Sequence, residues 1–271
     1  MQNAISLTPG MRKNLLSLRE TTNLIDLTSK HLSTGKKVNS ALDDPINYFA
    51  AEGHRQRATD LLSRKDEMSE AVQTIKAGDT GIESITDLVA SAKSLASSAL
   101  SADTTVEIND LESQFNEVLK QIDFLSADSG YKGINLLDSG TLEVSFDESG
   151  DSSVTLTGFD GTASGLGLST ISANDWTTAS NVTDSISELD SARTTLRSES
   201  KKLANNLSTI TIRQDFTENL VNTLEEGADN LTLADMNEES ANLLMLQTRQ
   251  ALSTSALAMS SQSAQSILRL F

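Results

Sequence analysis

The sequence predicts a mainly α-helical protein: a long antiparallel helical rod, or coiled coil, with a small β-hairpin region and with its N- and C-terminal segments paired. Three observations support this fold class. Apolar residues recur in alternating steps of three and four along most of the chain, which is the period of packed helices. Only 37% of the residues are hydrophobic and 4% aromatic, which suits helices that bury a narrow stripe. One glycine-rich stretch interrupts the pattern.

The first helix is predicted from a heptad seam over residues 11–32. The seam alternates steps of four and three and carries two small polar interruptions, Thr22 and Ser29. Its apolar positions are expected to face a partner helix. They include Leu15, Leu18, Ile25 and Leu32.

Three further segments have helical patterns. Residues 46–100 are rich in Ala, Leu, Glu and Ser and contain no proline, so we expect one helix about 80 Å long, loosened near Gly78 and Gly81. The heptad spacing of apolar residues also occurs over 111–125 and over 182–224.

Residues 138–176 are the exception to the helical pattern. The stretches TLEVSF and SVTLTGF alternate apolar and polar residues, and DESGDS between them has the composition of a turn. This arrangement predicts a β-hairpin followed by a glycine-rich loop that leads to Trp176.

The C-terminal segment, 231–271, has few charges and many Ala, Ser, Leu and Gln residues. On a helix, its large apolar side chains form a stripe about 120° wide. Such a helix would not fold well alone and needs a partner, for which the N-terminal heptad is the natural candidate. The stripe consists of Leu243, Leu246, Leu257, Ala264, Ile267, Leu268 and Phe271.

The composition argues against several classes of function. With 38 acidic and 21 basic residues and a net charge of −17, the chain is not expected to bind nucleic acid or an anionic membrane as its main activity. No apolar run is long enough to span a bilayer, and the first residues lack the apolar core of a secretory signal peptide. The absence of cysteine excludes disulfides and thiolate chemistry.

No combination of residues predicts catalysis, a metal site or a cofactor. His31 and His54 are too far apart in sequence for a typical zinc pair, and both are interpreted as helix-surface residues. Asp147, Glu148 and Asp151 lie in the predicted hairpin turn, and turn chemistry explains them better than calcium binding does. We therefore expect that the protein is not an enzyme.

Residues 32–45, LSTGKKVNSALDDP, combine features of a phosphate loop and a metal site. A phosphate loop is excluded, because Lys30 stands where the motif needs its first glycine. Asp44 is better explained as the N-cap of a helix that begins at Pro45, since proline at the first helical position sacrifices no hydrogen bond. Asp43 adds negative charge at the positive end of that helix, and Gly35 is expected to end the preceding helix.

The stretch LSTGKKVNSALDDP strongly resembles the N-terminal signature of bacterial flagellins. Two further stretches agree with this family. EVLKQIDFLSADSGYKGINLL at 117–137 is similar to its helix-to-loop segment, and 230–271, which begins NLTLADMNEES and ends SQSAQSILRLF, is similar to its C-terminal helix. The resemblance covers roughly 1–137 and 180–271, and its motifs occur in the family's order.

The resemblance implies two domains. A D0 domain, in which the chain ends pair as a coiled coil, corresponds to 1–44 with 231–271. A D1 domain, a helical rod with a β-hairpin, corresponds to 45–230, and no large outer domain is present. The seam residues named above would form the D0 core and the contacts between subunits. The connector between the domains would consist of Gly35, Lys36, Lys37, Asp43, Asp44 and Pro45.

The resemblance also implies a function. The chain would polymerise with copies of itself into the extracellular flagellar filament that bacteria rotate for swimming. It would be exported through a type III flagellar export system without a cleaved signal peptide. Its other partners would be an export chaperone at the C-terminal helix, the filament cap protein and the hook–filament junction protein.

Two other functions remain open. The hook–filament junction protein carries a segment similar to LSTGKKVNSALDDP, although the C-terminal stretch ALSTSALAMSSQSAQSILRLF favours flagellin. A glycan or peptide hydrolase with a carboxylate pair would need an enzymatic insert, and residues 138–176 are too few to fold one.

Overall fold

The computed structural model describes residues 9–268, without the side chains of Ala264, Ile267 and Leu268. The helices of this range are α1 (Pro9–Thr34), α2 (Pro45–Ala99), α3 (Thr105–Asp128), α4 (Ala179–Thr232) and α5 (Met236–Leu268). A short 3-10 helix spans Asp175–Thr177. The strands are β1 (Thr141–Ser145) and β2 (Ser153–Thr157).

The chain divides into two compact units. One consists of the residues up to Gln56 together with those from Thr223 onward, and the other is Arg57–Asn222. The predicted fold class is confirmed, since the described chain is mainly helical, has one small antiparallel sheet and pairs its first helix with its last. The assignment of D0 and D1 to particular residues stays a prediction.

Within the first unit, α1 packs antiparallel to α5. Two contacts fix the register: Gln250 Nε2 donates to Thr22 Oγ1 at 3.3 Å, and His31 Nδ1 lies 2.7 Å from Glu239 Oε1. The pair has a partly polar seam, because threonines are buried on α1 beside a single methionine. Among the described side chains of the pair, the buried ones are Met11, Thr21, Thr28 and Leu246.

The residues that α1 buries against α5 differ from the predicted ones at alternate positions of the seam. The prediction placed residues 15, 22 and 29 at the interface, whereas the structure buries Thr21 and Thr28 and leaves Leu15 exposed. The buried hydroxyl of Thr21 has a local acceptor, since its Oγ1 donates to Ser17 O at 2.8 Å. The predicted steps of four and three are therefore kept in part, but at these positions the buried side chain is the residue one place earlier, Thr21 and Thr28.

The core of the second unit forms where α2, α3 and α4 meet the hairpin and the 3-10 helix. Its buried aromatic side chains are Phe115, Phe146 and Trp176, and the rings of Phe115 and Trp176 pack edge to face with centroids 4.9 Å apart. The largest fully buried side chains are Trp176, Phe115, Met68, Ile75, Ile85, Leu119, Ile122, Leu136, Leu137, Leu156, Leu189 and Leu196.

The predicted hairpin is confirmed. Strands β1 and β2 pair antiparallel, with Thr141 opposite Thr157. The Oδ1 atom of Asp147 accepts the Ser152 N–H across the turn at 3.1 Å, and Arg57 Nε lies 2.6 Å from Glu148 Oε1. Asp147 therefore has the contact expected of a turn residue, whereas Glu148 forms an ion pair with a residue of α2.

Helix α2 is continuous through Gly78 and Gly81, so the predicted loosening at these glycines is wrong. Both glycines are buried against the segment 129–137. A Cβ atom at Gly81 would lie 2.8 Å from Ser129 Cβ and 2.9 Å from Leu137 Cδ2. Glycine costs a helix about 1 kcal/mol relative to alanine, and here the close packing of the following segment offsets that cost.

A buried carboxylate anchors the loop that ends at Trp176. Glu112 of α3 accepts the Trp176 N–H at 2.7 Å and the Asn174 N–H at 2.9 Å. The Trp176 Nε1–H donates to Ser185 Oγ at 3.2 Å. The sequence singled out Trp176 but not Glu112, because a charged residue in an amphipathic helix is ordinarily assigned to the solvent face.

We expect Glu112→Gln to lower the free energy of unfolding by about 1–2 kcal/mol, because an amide group offers only one acceptor oxygen to the two N–H groups, of which that of Trp176 is buried. Trp176 is the only tryptophan of the chain, so its emission should shift to longer wavelength. Urea unfolding followed by fluorescence measures both effects. The control is Glu117→Gln at an exposed position of the same helix, for which a change within about 0.5 kcal/mol is expected. Equal effects of the two substitutions would contradict the anchoring role.

Candidate assembly interface

The connector that the sequence singled out pairs with the link between α4 and α5. The N–H groups of Lys37 and Val38 donate to Thr232 O at 2.9 and 3.2 Å, and the Ala234 N–H donates to Gly35 O at 3.0 Å. Lys36 forms an isolated antiparallel bridge with Leu233. Sequence reasoning missed this pairing because it uses backbone groups, which leave no side-chain pattern.

Gly35 ends α1, as predicted. Its N–H donates to His31 O at 2.8 Å and its φ is 70°. No atom lies within 4 Å of an added Cβ, so space does not require glycine here. The left-handed backbone conformation does, because it is unfavourable for residues with a Cβ atom.

The capping interpretation of Asp44 and Pro45 is confirmed. Asp44 Oδ1 accepts the N–H groups of Ile46 and Asn47, both at 3.1 Å, and Pro45 is the first residue of α2. The other carboxylate of the motif, Asp43, binds groups of the connector, and its predicted interaction with the dipole of α2 stays a prediction.

Asp43 closes the connector onto itself. Its Oδ2 accepts the N–H groups of Asn39 and Ser40, both at 3.0 Å, and Lys30 Nζ lies 3.4 Å away. These donors, the Asn39 N–H above all, hold the pKa of Asp43 below its usual range. The contacts therefore stabilise the connector above the ordinary pKa of aspartate, and they are lost as the pH falls through the lowered value.

We expect the amide protons of Asn39 and Ser40 to titrate with a midpoint below about 3.9, the value for an aspartate in an unstructured peptide. The two contacts are local in sequence, so they should form in the isolated subunit. NMR spectra recorded between neutral and acid pH give the midpoint. Asp43→Asn should abolish the shift, and a midpoint at or above the unstructured value would contradict this assignment.

The residues predicted for the terminal-helix core have different surroundings in the structure. Leu246 is buried, whereas Leu15 is exposed. The half-buried residues are Leu18, Ile25, Leu32, Leu243 and Leu257. The side chains of Ala264, Ile267, Leu268 and Phe271 lie outside the described part of the chain. Their assignment to a core or to contacts between subunits stays a prediction.

Both terminal helices also present apolar side chains to solvent. Among the described side chains, those on α1 are Leu15, Leu16, Leu24 and Leu27, and those on α5 are Met236, Leu244, Met245, Leu252 and Met259. Leu244 lies about 200° around the helix from the buried Leu246, so α5 is apolar on two faces. A shallow cavity of about 460 Å³ on its outer face is lined by Ala241, Leu244, Met245, Thr248, Arg249 and Leu252.

The interpretation of the histidines as surface residues is wrong. His31 is half-buried and contacts Glu239, as described above. His54 is half-buried as well and lies near Gly227. Among the described residues, no group of three or more His, Cys, Asp or Glu side chains could hold a metal ion. None of the described helices is long and apolar enough to cross a membrane.

Comparisons with known proteins match nearly the whole chain. Residues 10–141 match the bacterial flagellin N-terminal helical region, and residues 179–271 match the bacterial flagellin C-terminal helical region. Flagellin FljM of Caulobacter vibrioides is 31% identical over 99% of this chain and 98% of its own length. Flagellin FljO of the same bacterium is 30% identical over the same shares.

Two more distant proteins are also similar to this chain. A flagellin of Brucella melitensis is 26% identical over 95% of each chain. The crystal structure of Bacillus cereus flagellin is similar with a TM-score of 0.48 and 19% identity, over 56% of this chain and 88% of that one. None of these matches is to a hook–filament junction protein. The two matched regions and the relatives aligned end to end show that this chain belongs to the bacterial flagellin family, whose members are structural subunits of the flagellar filament.

Proposed function

We propose that the α1–α5 pair is the D0 domain through which copies of this chain polymerise, and that residues 45–230 form D1. The observation that carries this proposal is the apolar surface on the outer faces of α1 and α5. Burying one large apolar side chain contributes about 1.5–3 kcal/mol. Packing against neighbouring subunits would therefore supply much of the stability that the pair lacks alone.

Assembly would also order the two helices. Helices α1 and α5 have 26 and 33 residues, and ordering each residue costs about 1–2 kcal/mol in backbone entropy. Their shared seam is narrow and partly polar, so it offsets little of that cost. We expect the helices to be largely disordered in the free subunit and to fold when neighbours cover their outer faces.

The connector would fix the angle between D0 and D1. Asp43 and Asp44 already bind backbone groups of the connector and of α2, which supports a role in fixing the angle between the domains. The ammonium groups of Lys36 and Lys37 have no partner among the described residues, so they are available to neighbouring subunits. Together these residues would set how each subunit fits its position in the filament.

The exposed apolar faces of α5 also bear on the proposed binding of an export chaperone. The apolar faces of α5 would need cover before assembly, which supports binding of an export chaperone to this helix. We propose export without a cleaved signal peptide by a type III flagellar system, and assembly between the hook–filament junction protein and the filament cap. Flagellins are structural proteins, and we propose that this one has no catalytic activity.

The substitution Leu244→Glu tests the polymerising role of α5. Placing a carboxylate on the outer apolar face should prevent filament growth, because burying an unpaired charge is costly. Purified subunits are added to filament seeds, and growth is followed by sedimentation and electron microscopy. Leu244→Met keeps the side chain apolar and should grow as the unaltered protein does. Normal growth of Leu244→Glu would show that this face is not buried in the filament.

A further inference from the structure

The methionines of the described residues fall into two groups. Met11 and Met68 are buried, with 7% and 0% of their surface exposed. Met236, Met245 and Met259 are 45%, 60% and 65% exposed, and all three lie on α5. Because the chain has no cysteine, methionine is its only sulfur-containing side chain. Exposure governs which sulfur atoms a dissolved oxidant reaches, so oxidation of the described residues should fall mainly on α5.

Two of these methionines belong to one row of apolar side chains on α5. Met245, Leu252 and Met259 follow one another at a spacing of seven residues, which turns each by only about 20° around the helix from the one before. Leu252 is 67% exposed, as much as the two methionines. Met245 and Leu252 line the shallow cavity on the outer face of α5. We call these three residues the methionine row.

Oxidation changes the character of such a surface. A lone pair of the methionine sulfur attacks the O–O bond of a peroxide and takes one oxygen atom, so the thioether loses two electrons and hydrogen peroxide is reduced to water. The product is a sulfoxide, which is polar where the thioether was apolar. Burying the sulfoxide oxygen among apolar side chains, without a hydrogen-bond donor, is costly.

We infer that Met245 and Met259 form an oxidation-sensitive site, at which a peroxide converts the thioethers to sulfoxides and thereby prevents the subunit from adding to a filament. The row is open to a dissolved oxidant in the single chain, and it lies on the outer face of α5 that the proposed polymerisation buries. The inference rests on that proposal and adds a chemical condition to it. The block is reversible, because sulfoxide reductases return methionine sulfoxide to methionine.

Partial oxidation of the unaltered chain tests the site without any substitution. Subunits are treated with a limiting amount of hydrogen peroxide, so that most chains carry no more than one sulfoxide, and are added to isotopically labelled filament seeds. After sedimentation, mass spectrometry of peptides measures the sulfoxide fraction at each methionine in the pellet and in the supernatant. At Met245 and Met259 this fraction should be at least tenfold lower in the filaments than in the supernatant. Equal fractions would overturn the inference.

Two variants show whether the methionine row or another methionine causes the block. The control, Met11→Leu/Met236→Leu, keeps the row, and the test variant carries Met245→Leu and Met259→Leu in addition. Both are treated with the same excess of hydrogen peroxide, and each is compared with its own untreated sample. Seeded growth of the control should fall at least tenfold, and that of the test variant less than twofold. An equal loss of growth in both would count against the site.

The outcomes separate the oxidation-sensitive site from polymerisation itself. If the untreated, unaltered chain does not elongate seeds, the proposed polymerisation fails and the inference fails with it. If this chain grows and its oxidised form grows equally well, only the oxidation-sensitive site is overturned. If the test variant does not grow even untreated, the sulfoxide fractions of the unaltered chain decide.

Reduction of the excluded subunits identifies the lesion. Methionine sulfoxide reductases A and B, supplied with a dithiol, should restore growth to at least half that of untreated subunits. The dithiol has no disulfide or thiol of the chain to alter, because cysteine is absent. Growth that stays blocked after the sulfoxides at Met245 and Met259 have been reduced would place the damage elsewhere and overturn the inference.

Discussion

Gly81→Val should lower the free energy of unfolding by about 3 kcal/mol, at the upper end of the cost of overpacking a core. The added side chain would begin from a Cβ atom only 2.8 Å from Ser129 Cβ and 2.9 Å from Leu137 Cδ2. Either the segment 129–137 must move away from α2 or the helix must bend. Urea denaturation followed by circular dichroism and by Trp176 fluorescence measures the loss.

The control for this substitution lies one turn away on the same helix. A Cβ atom at Gly78 would meet its nearest neighbours at 3.5 Å, an ordinary contact distance. Gly78→Ala should therefore raise the free energy of unfolding by up to about 1 kcal/mol through its better helix propensity. If both substitutions stabilise the protein, or both destabilise it equally, the close approach at Gly81 does not hold the segment 129–137 in place.

Gly35→Val should impair swimming and alter filament shape with little loss of subunit export. Valine is strained in the left-handed conformation of Gly35, by about 1–2 kcal/mol. Relieving this strain would redirect the chain after α1 and break the backbone pairing between residues 35–38 and 232–234. Soft-agar motility, electron microscopy of filaments and immunoblots of exported subunit measure the three quantities separately.

Gly35→Asn distinguishes backbone conformation from the loss of glycine as such. Asparagine tolerates positive φ better than other residues with a Cβ atom, and the position has open space around it. We expect this variant to swim nearly as well as the unaltered strain. Normal motility and normal filaments with Gly35→Val would reduce the connector to a simple link between domains.

Much of the helical architecture could be predicted from local signals. The boundary between α1 and α2 follows from Gly35, Asp44 and Pro45, each of which acts on its own backbone or on the next turn. The hairpin follows from alternating strands around a turn with Asp147 and Gly150. Such signals act within a few residues, so they predict local structure without knowledge of the tertiary contacts.

The remaining features depend on contacts between distant segments. Glu112 is buried because two N–H groups of the loop at 174–176 point at it, and no property of α3 alone indicates this. The sequence of α2 alone predicts a weak point at Gly81, because the segment 129–137 that packs against this glycine is distant in sequence. The backbone pairing of Lys36 with Leu233 uses no side chain. For the same reason the sequence singled out the connector without showing what it pairs with.

Seeded growth of the purified chain tests directly whether copies of it polymerise through the outer faces of α1 and α5. Subunits are added to short fragments of their own filaments, and the products are imaged by electron cryomicroscopy. We expect long filaments in which α1 and α5 are ordered and their outer apolar faces are covered by neighbouring subunits. Failure of the unaltered chain to elongate seeds, or filaments in which these faces remain open to solvent, would contradict this mode of assembly.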